Sequence, residues 1–200
     1  PTSRCSSAAS DVYKRQAREL ARRVINIFED YDAVVLPSGS CTTMIRHEYP
    51  HLFDDEPLWK QRAETLAQKT FELGEFLQNE VAWEPAGQLS DDPLTYHDSC
   101  HMCRLLGIRT EPRSLLASAG REVSEMHDAD RCCGFGGLFS VKMPELSNEM
   151  TRAKVDHAKA TGARRIITSD PGCLMQMRGI AGDEIEVTHL AVVLAEAAQS

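Results

Sequence analysis

The feature that most constrains this chain is a repeat, found by sliding the sequence along itself by 132 residues. Cys41 then falls on Cys173, Val34-Val35 on Ile166-Ile167, and Arg46 on Arg178. Pro37-Ser38-Gly39-Ser40-Cys41 lies over Ser169-Asp170-Pro171-Gly172-Cys173. An amphipathic helical pattern precedes each turn, over residues 17–30 and 144–161, and a second follows each, over 69–81 and 189–198. The recurring order is helix, short β-branched strand, Gly/Pro turn with cysteine, helix, which is the mark of duplicated supersecondary units. The fold class is therefore α/β: two repeated α/β units, with short parallel strands flanked by helices.

The same offset places counterparts of Cys132 and Cys133 at positions 0 and 1, and of Cys100 at −32, off the front of the chain. The first unit is thus truncated at its N-terminus and keeps only Cys41, whereas the second is nearly whole. Residues 1–16 lack periodicity and read as a non-native leader, which sets Cys5 aside. Residues 17–83 form the C-terminal part of the first cysteine-rich repeat, 84–93 (EPAGQLSDDP) a linker, and 94–200 the second repeat. Strands are expected at 34–36, 94–97, 122–127, 166–168 and 184–187. Pro57 opens a long helix, with Trp59, Ala63, Leu66, Thr70, Leu73 and Leu77 at helical spacing. Pro144 opens another, with Gly162 just past its end. In parallel sheets, ligands gather beyond the carboxyl ends of strands, and Cys41, Cys100 and Cys173 each lie just past one.

Cys132 and Cys133 stand side by side in Cys132-Cys133-Gly134-Phe135-Gly136-Gly137, with Cys100 31 intervening residues upstream and Cys173 39 downstream. A vicinal pair in a glycine turn, flanked at long range by lone cysteines, can bring four thiolates to one point, as an iron–sulfur cluster demands. Gly134, Gly136 and Gly137 leave room for a bulky inorganic ligand, and their amides can donate to its sulfurs. Seven cysteines, an odd number, read poorly as a disulfide framework and better as cytoplasmic thiols engaged with metal. A net charge of −8, with no basic run longer than two residues, argues against nucleic acid and anionic membrane as partners. No apolar stretch has the length of a membrane span.

Cys100-His101-Met102-Cys103 admits three readings: a thiol–disulfide oxidoreductase dithiol, half of a structural zinc site, or a cluster ligand at Cys100 with Cys103 one helical turn on as a stand-in ligand. The third is favoured. His97 and His101 flank Cys100 and could donate from the second layer, although a satisfied structural histidine is the commoner outcome. Asp170 is expected to cap the turn or helix before Cys173.

Three motifs then point to a family: Tyr96-His97-Asp98-Ser99-Cys100-His101, Arg131-Cys132-Cys133-Gly134-Phe135-Gly136-Gly137 and Asp170-Pro171-Gly172-Cys173-Leu174-Met175. With Pro37-Ser38-Gly39-Ser40-Cys41, they resemble the cysteine-rich CCG-domain family. Its members include the cysteine-rich component of heterodisulfide reductase and the iron–sulfur subunits of glycolate oxidase and anaerobic glycerol-3-phosphate dehydrogenase. The likeness runs from about Ala17 to the C-terminus and is strongest to the short lactate-utilization members. It implies an iron–sulfur cluster, [4Fe-4S] in type, held by Cys100, Cys132, Cys133 and Cys173, with Cys41 and Cys103 as further metal ligands. It implies an electron-transfer subunit that oxidises L-lactate to pyruvate together with partner subunits of a lactate utilization system, and passes electrons to an acceptor protein or quinone-linked complex. A glycolate or glycerol-3-phosphate oxidising complex is the alternative within the family. One departure stands out: Gln176 and Met44 occupy the second positions of the family's closing Cys-x-x-Cys.

Overall fold

The computed structural model describes the backbone of residues 2–199 and the side chains of residues 13–199; the side chain of Cys5 lies outside them. In chain order come α1 (Thr2–Phe28), β1 (Val34–Leu36), α2 (Gly39–Thr43), α3 (Tyr49–Leu52), α4 (Pro57–Gln68), β2 (Thr70–Glu72) and α5 (Leu73–Glu75). Then follow β3 (Leu94–Tyr96), α6 (Glu111–Ser118), α7 (Leu138–Lys142), α8 (Pro144–Lys159), β4 (Arg165–Thr168), α9 (Pro171–Ala181), β5 (Glu186–His189) and α10 (Leu190–Gln199). Wider helical turns continue α2, α5 and the segment after Cys100, over Met44–Glu48, Phe76–Glu80 and Met102–Leu106.

The chain divides into two compact units. The first comprises residues 2–36 and Cys41–Phe71. Its core gathers Ala21 and Ile25 of α1, Val34 of β1, Ile45, Phe53, and Ala63 and Leu66 of α4. The second comprises Pro37–Ser40 and residues 72–199. It is built on a parallel sheet of order β3-β4-β5, in which Ile166 pairs with Thr95 on one side and Val187 on the other. Side chains alternate across a strand, so the neighbours Ile166 and Ile167 serve opposite faces. Ile166 packs with Val155 and Ala158 of α8 and with Cys173, Met177 and Ala181 of α9. Ile167 packs with Leu115 and Leu116 of α6 and with Leu190, Val193 and Leu194 of α10. Both isoleucines are fully buried, each contributing on the order of 1.5–3 kcal/mol. The second unit is a sheet clad by helices on both faces, the α/β class expected.

Three expectations need correction. The pattern over 122–127 is not a strand: only Ser124 N–H bonds to the neighbouring β3, at Leu94 O (2.9 Å). Val123 and Met126 go to different cores, so the stretch is tied down by packing rather than by a ladder. The helical pattern over 69–81, and the continuation of the Pro57 helix to Leu77, breaks at Thr70. There the Thr70 hydroxyl donates back to Leu66 O (2.7 Å), Val34 N–H takes Lys69 O (2.8 Å), and the chain enters β2 beside β1. The last strand starts two residues later than expected, at Glu186, and runs to His189. In addition, α1 runs from Thr2, well before the periodicity that begins at Ala17. Among the described residues, no helix is long and apolar enough to cross a membrane.

Candidate functional site

Three segments of the second unit deliver cysteines to one place. The first is the turn after β3. Buried Asp98 donates its N–H to Ala129 O (3.1 Å) and takes a forked bond from Arg113 (2.9 and 3.0 Å). Arg113 also holds Glu125. The fork fixes the approach to Cys100, because a planar guanidinium matches a carboxylate in one orientation.

The second segment is the turn after β4. Asp170 caps α9 as expected, its Oδ1 accepting from Gly172 N–H (3.1 Å). Its Oδ2 accepts from Ser40 N–H (2.9 Å) and, more weakly, from Ser38 Oγ (3.5 Å). One buried carboxylate thus fastens both the Cys173 turn and the Pro37–Ser40 strip. Nearby, His189 Nδ1 accepts from Ala191 N–H (3.1 Å), which leaves Nε2–H to donate to Pro37 O (3.1 Å). Burial lowers the pKa of this imidazole, which suits the neutral form that accepts and donates at once.

The third segment is the glycine loop. Gly134 has φ +95°, and a Cβ there would lie 2.4 Å from Ser147 O, so no other residue fits. The loop hangs from α8: Ser147 Oγ donates to Gly134 O (2.8 Å) and Thr151 Oγ1 to Cys133 O (2.7 Å). Gln176 Nε2, from α9, donates to both of those hydroxyl oxygens at 3.0 Å. Gln176, three residues after Cys173, therefore braces the loop that carries the vicinal pair. Lys154, fully buried, donates to Asp128 O and to Ala129 O (3.2 Å) at the loop's entrance. Burial lowers its pKa.

The four cysteines Cys100, Cys132, Cys133 and Cys173 line one cavity, and the sulfurs of Cys133 and Cys173 lie within 4.8 Å of each other. Accepting from the Cys100 and Cys133 thiols draws Cys132 strongly toward the thiolate. Donating to Cys132, together with burial, pushes Cys100 and Cys133 up. Backbone N–H groups of Gly134 and Phe135 point at the sulfurs of Cys132 (3.4 Å) and Cys133 (3.5 Å). A cavity of about 380 Å³ opens beside the four cysteines, lined also by His101, Phe135, Gly136, Gly137, Ser40, Ser99 and Asp170. Gly134 faces α8 instead. The whole lining comes from the second unit. A larger groove of about 540 Å³, between Arg109, Arg113, Glu125 and Asp130, holds charges that pair with one another and no thiol.

Two other cysteines are not among the residues that line the cavity. Cys41 belongs to the first unit, where it sits exposed on α2. Cys103 is buried, and its thiol donates to Cys100 O (3.8 Å). His97 is a surprise. It is fully buried, yet neither ring nitrogen has a hydrogen-bond partner, contrary to the expectation of a satisfied histidine. One of its nitrogens lies within 4.8 Å of the sulfurs of Cys133 and Cys173. Burial and the nearby Lys154 charge press its pKa down to about 3, so it stands there as a neutral donor. Nothing in the sequence marked His97 out from His101. The Ser147–Thr151–Gln176 brace was missed too, although Ser147 and Thr151 sit one helical turn apart.

Four soft sulfurs with an unpartnered imidazole beside them form a donor set for iron–sulfur or zinc rather than for a hard cation. The cavity and the amide-to-sulfur contacts fit the larger, sulfide-bearing group.

Comparison with known proteins adds a further finding. The family model for the cysteine-rich domain, CCG, matches residues 4–46 and 94–178. Lactate utilization protein A of Bacillus subtilis (strain 168) is 46% identical over 186 residues, covering 91% of this chain and 78% of that protein. The protein of the same name from Shouchella clausii (strain KSM-K16) is 47% identical, covering 91% and 77%. That from Lysinibacillus sphaericus (strain C3-41) is 45% identical, covering 91% and 81%.

Proposed function

Because the chain belongs to the cysteine-rich CCG-domain family, we propose that it is an iron–sulfur electron carrier of a lactate-oxidising system, with Cys100, Cys132, Cys133 and Cys173 as iron ligands. The observation that carries this reading is the meeting of those four thiols, from three distant segments, at one cavity. The relatives are named for lactate utilization, which supports L-lactate, oxidised to pyruvate, as the source of the electrons. A [4Fe-4S] cluster supplies one-electron redox chemistry when bound.

The chain's own groups do the rest. Thiolates hold the iron, and the Cys132 position is already biased toward that form. The Gly134 and Phe135 amides donate to ligand sulfurs, which raises the reduction potential by stabilising added negative charge. Phe135 and the apolar neighbours of Cys133 and Cys173 restrict water. His101, Gly136 and Gly137 form the cavity's rim, from which electrons pass to a partner protein or a quinone-linked acceptor.

Anaerobic purification tests the reading. The expected protein is brown, with iron and acid-labile sulfide, and Cys132→Ser loses the colour and most of both elements. His97 beside Cys133 and Cys173 favours one rival, a structural zinc site, and a colourless protein with stoichiometric zinc would establish it instead. A colourless, metal-free protein with a reactive Cys100 would establish the thiol–disulfide reading. Reduction of the cluster by L-lactate, glycolate or glycerol 3-phosphate in the assembled system separates the substrate alternatives.

A further inference from the structure

We propose a second metal site in the same unit, outside the cysteine cavity: His127, Asp128 and His157 bind a borderline divalent cation of the Zn²⁺ class, with water completing its shell. The candidate ligand atoms of the three residues lie within 4.8 Å of one another. Small side-chain rotations would bring them around an ion whose bonds to nitrogen and oxygen run to about 2.0–2.2 Å.

Two of the three ligands are held ready. His157 projects from the last turn of α8, and its Nδ1 is buried with no hydrogen-bond partner. That nitrogen is desolvated without compensation, a cost that a bound ion or its water would relieve. Asp128 sits in left-handed backbone, φ +53°, unusual for a residue with a side chain. That backbone is pinned, Asp128 O accepting from buried Lys154 and from Arg131 N–H (2.9 Å). Its carboxylate is paired only at long range, with His127 Nδ1 at 3.5 Å and Arg131 at 3.9 Å. The third ligand, His127, is 77% exposed and free to swing, its ring edge-on to that of His157 with centroids 5.0 Å apart. Two imidazoles and one carboxylate make an N₂O set without sulfur, which suits Zn²⁺ and leaves a coordination position open to solvent.

The site is separate from the cysteine cavity but joined to it mechanically. Lys154 holds both Asp128 O and Ala129 O, and Ala129 O receives the Asp98 N–H two residues before Cys100. A metal here would stiffen the strip of chain that leads into Cys132.

Cobalt(II) tests this without confusion with the thiols, because sulfur ligation gives strong near-ultraviolet charge-transfer bands and nitrogen or oxygen ligation does not. The full chain, purified anaerobically with its cysteine site as isolated, should bind one equivalent of Co²⁺ that shows no such bands and is displaced by Zn²⁺. His127→Ala and Asp128→Asn should each weaken that equivalent by about tenfold or more, with iron and sulfide content unchanged. Asparagine tolerates the left-handed backbone, so the second variant keeps the fold. Cys132→Ser should leave the equivalent intact, which separates failure of this site from failure of the cluster assignment. Undiminished Co²⁺ binding in both variants, or thiolate charge transfer from every bound equivalent, would overturn the proposal.

Discussion

The turns after β1 and β4 carry the same motif 132 residues apart, yet they end in opposite states. After β4, Cys173 is 7% exposed, packed with Cys133 and Met177, and the residue three positions on, Gln176, is bonded to Ser147 and Thr151. After β1, Cys41 is exposed, and Met44, the counterpart of Gln176, is 48% exposed. A strand, a Gly/Pro turn and a helix start are thus written locally in both places. Burial of the thiol is not: Cys173 packs with Cys133 and Phe135 of the glycine loop and with Val155 of α8, contacts made by segments distant in sequence. The strand ends show the same contrast in chemistry. Glu72 closes β2 and accepts from Gly74 N–H (2.6 Å), while His189 closes β5 and accepts from Ala191 N–H (3.1 Å). Each caps the helix that follows with a buried titratable group, one an acid and one a base.

The contrast between the thiols can be broken most directly by exchanging each for serine. Cys173→Ser should abolish iron and sulfide incorporation, whereas Cys41→Ser should leave both near wild-type levels; equal losses would mean the two turns are equivalent after all. Next in size is Gly134→Ala. The left-handed backbone and the 2.4 Å approach to Ser147 O together should cost about 3 kcal/mol or more in chemical denaturation. Gly137→Ala, with open space around it but a backbone (φ +56°, ψ −106°) outside the wells open to L side chains, should cost about 2–3 kcal/mol.

Asp170 and Ser38 occupy the same place in the repeat and touch each other. Asp170→Ala removes two backbone-to-carboxylate bonds, one of them the helix cap, at about 2–3 kcal/mol. Ser38→Ala loses that 3.5 Å contact and one of 3.2 Å to Ser40 Oγ, at about 0.5–1 kcal/mol. The one effect that depends on pH concerns Glu72, whose carboxyl burial raises from 4.5 to about 7. The folded state grips this proton more tightly than the unfolded chain does. Its contribution to stability is therefore whole below pH 4.5 and is lost as pH rises through about 7. Glu72→Gln keeps an acceptor for Gly74 and removes the charge, so it should flatten that stretch of the melting-temperature profile and stabilise by about 1–2 kcal/mol at pH 8.

Much of the second unit was legible because its signals are local. Ile166-Ile167 between turn residues, Pro144 at a helix start and Asp170 before Pro171 each act on their immediate neighbours. The offset repeat then placed Cys173 beyond a strand end without any structure in hand. What failed was non-local. Residues 69–72 carry helical periodicity, but pairing with β1 overrides it; Val123 and Met126 look like strand residues, yet their partners are in two different cores. The site divides the same way. The four cysteines could be named from spacing, whereas the unpartnered nitrogens of His97 and the brace through Gln176 exist only once α8, α9 and the glycine loop have assembled.

The placing of Ile166 and Ile167 in separate cores has a consequence for how this molecule can vary. Losing or gaining one residue in β4 would exchange the faces of every later side chain on that strand and swing the sulfur of residue 173 off its neighbours. Length is quantised in steps of two along those four residues, while the stretch 84–93, which belongs to no helix or strand, carries no such parity rule.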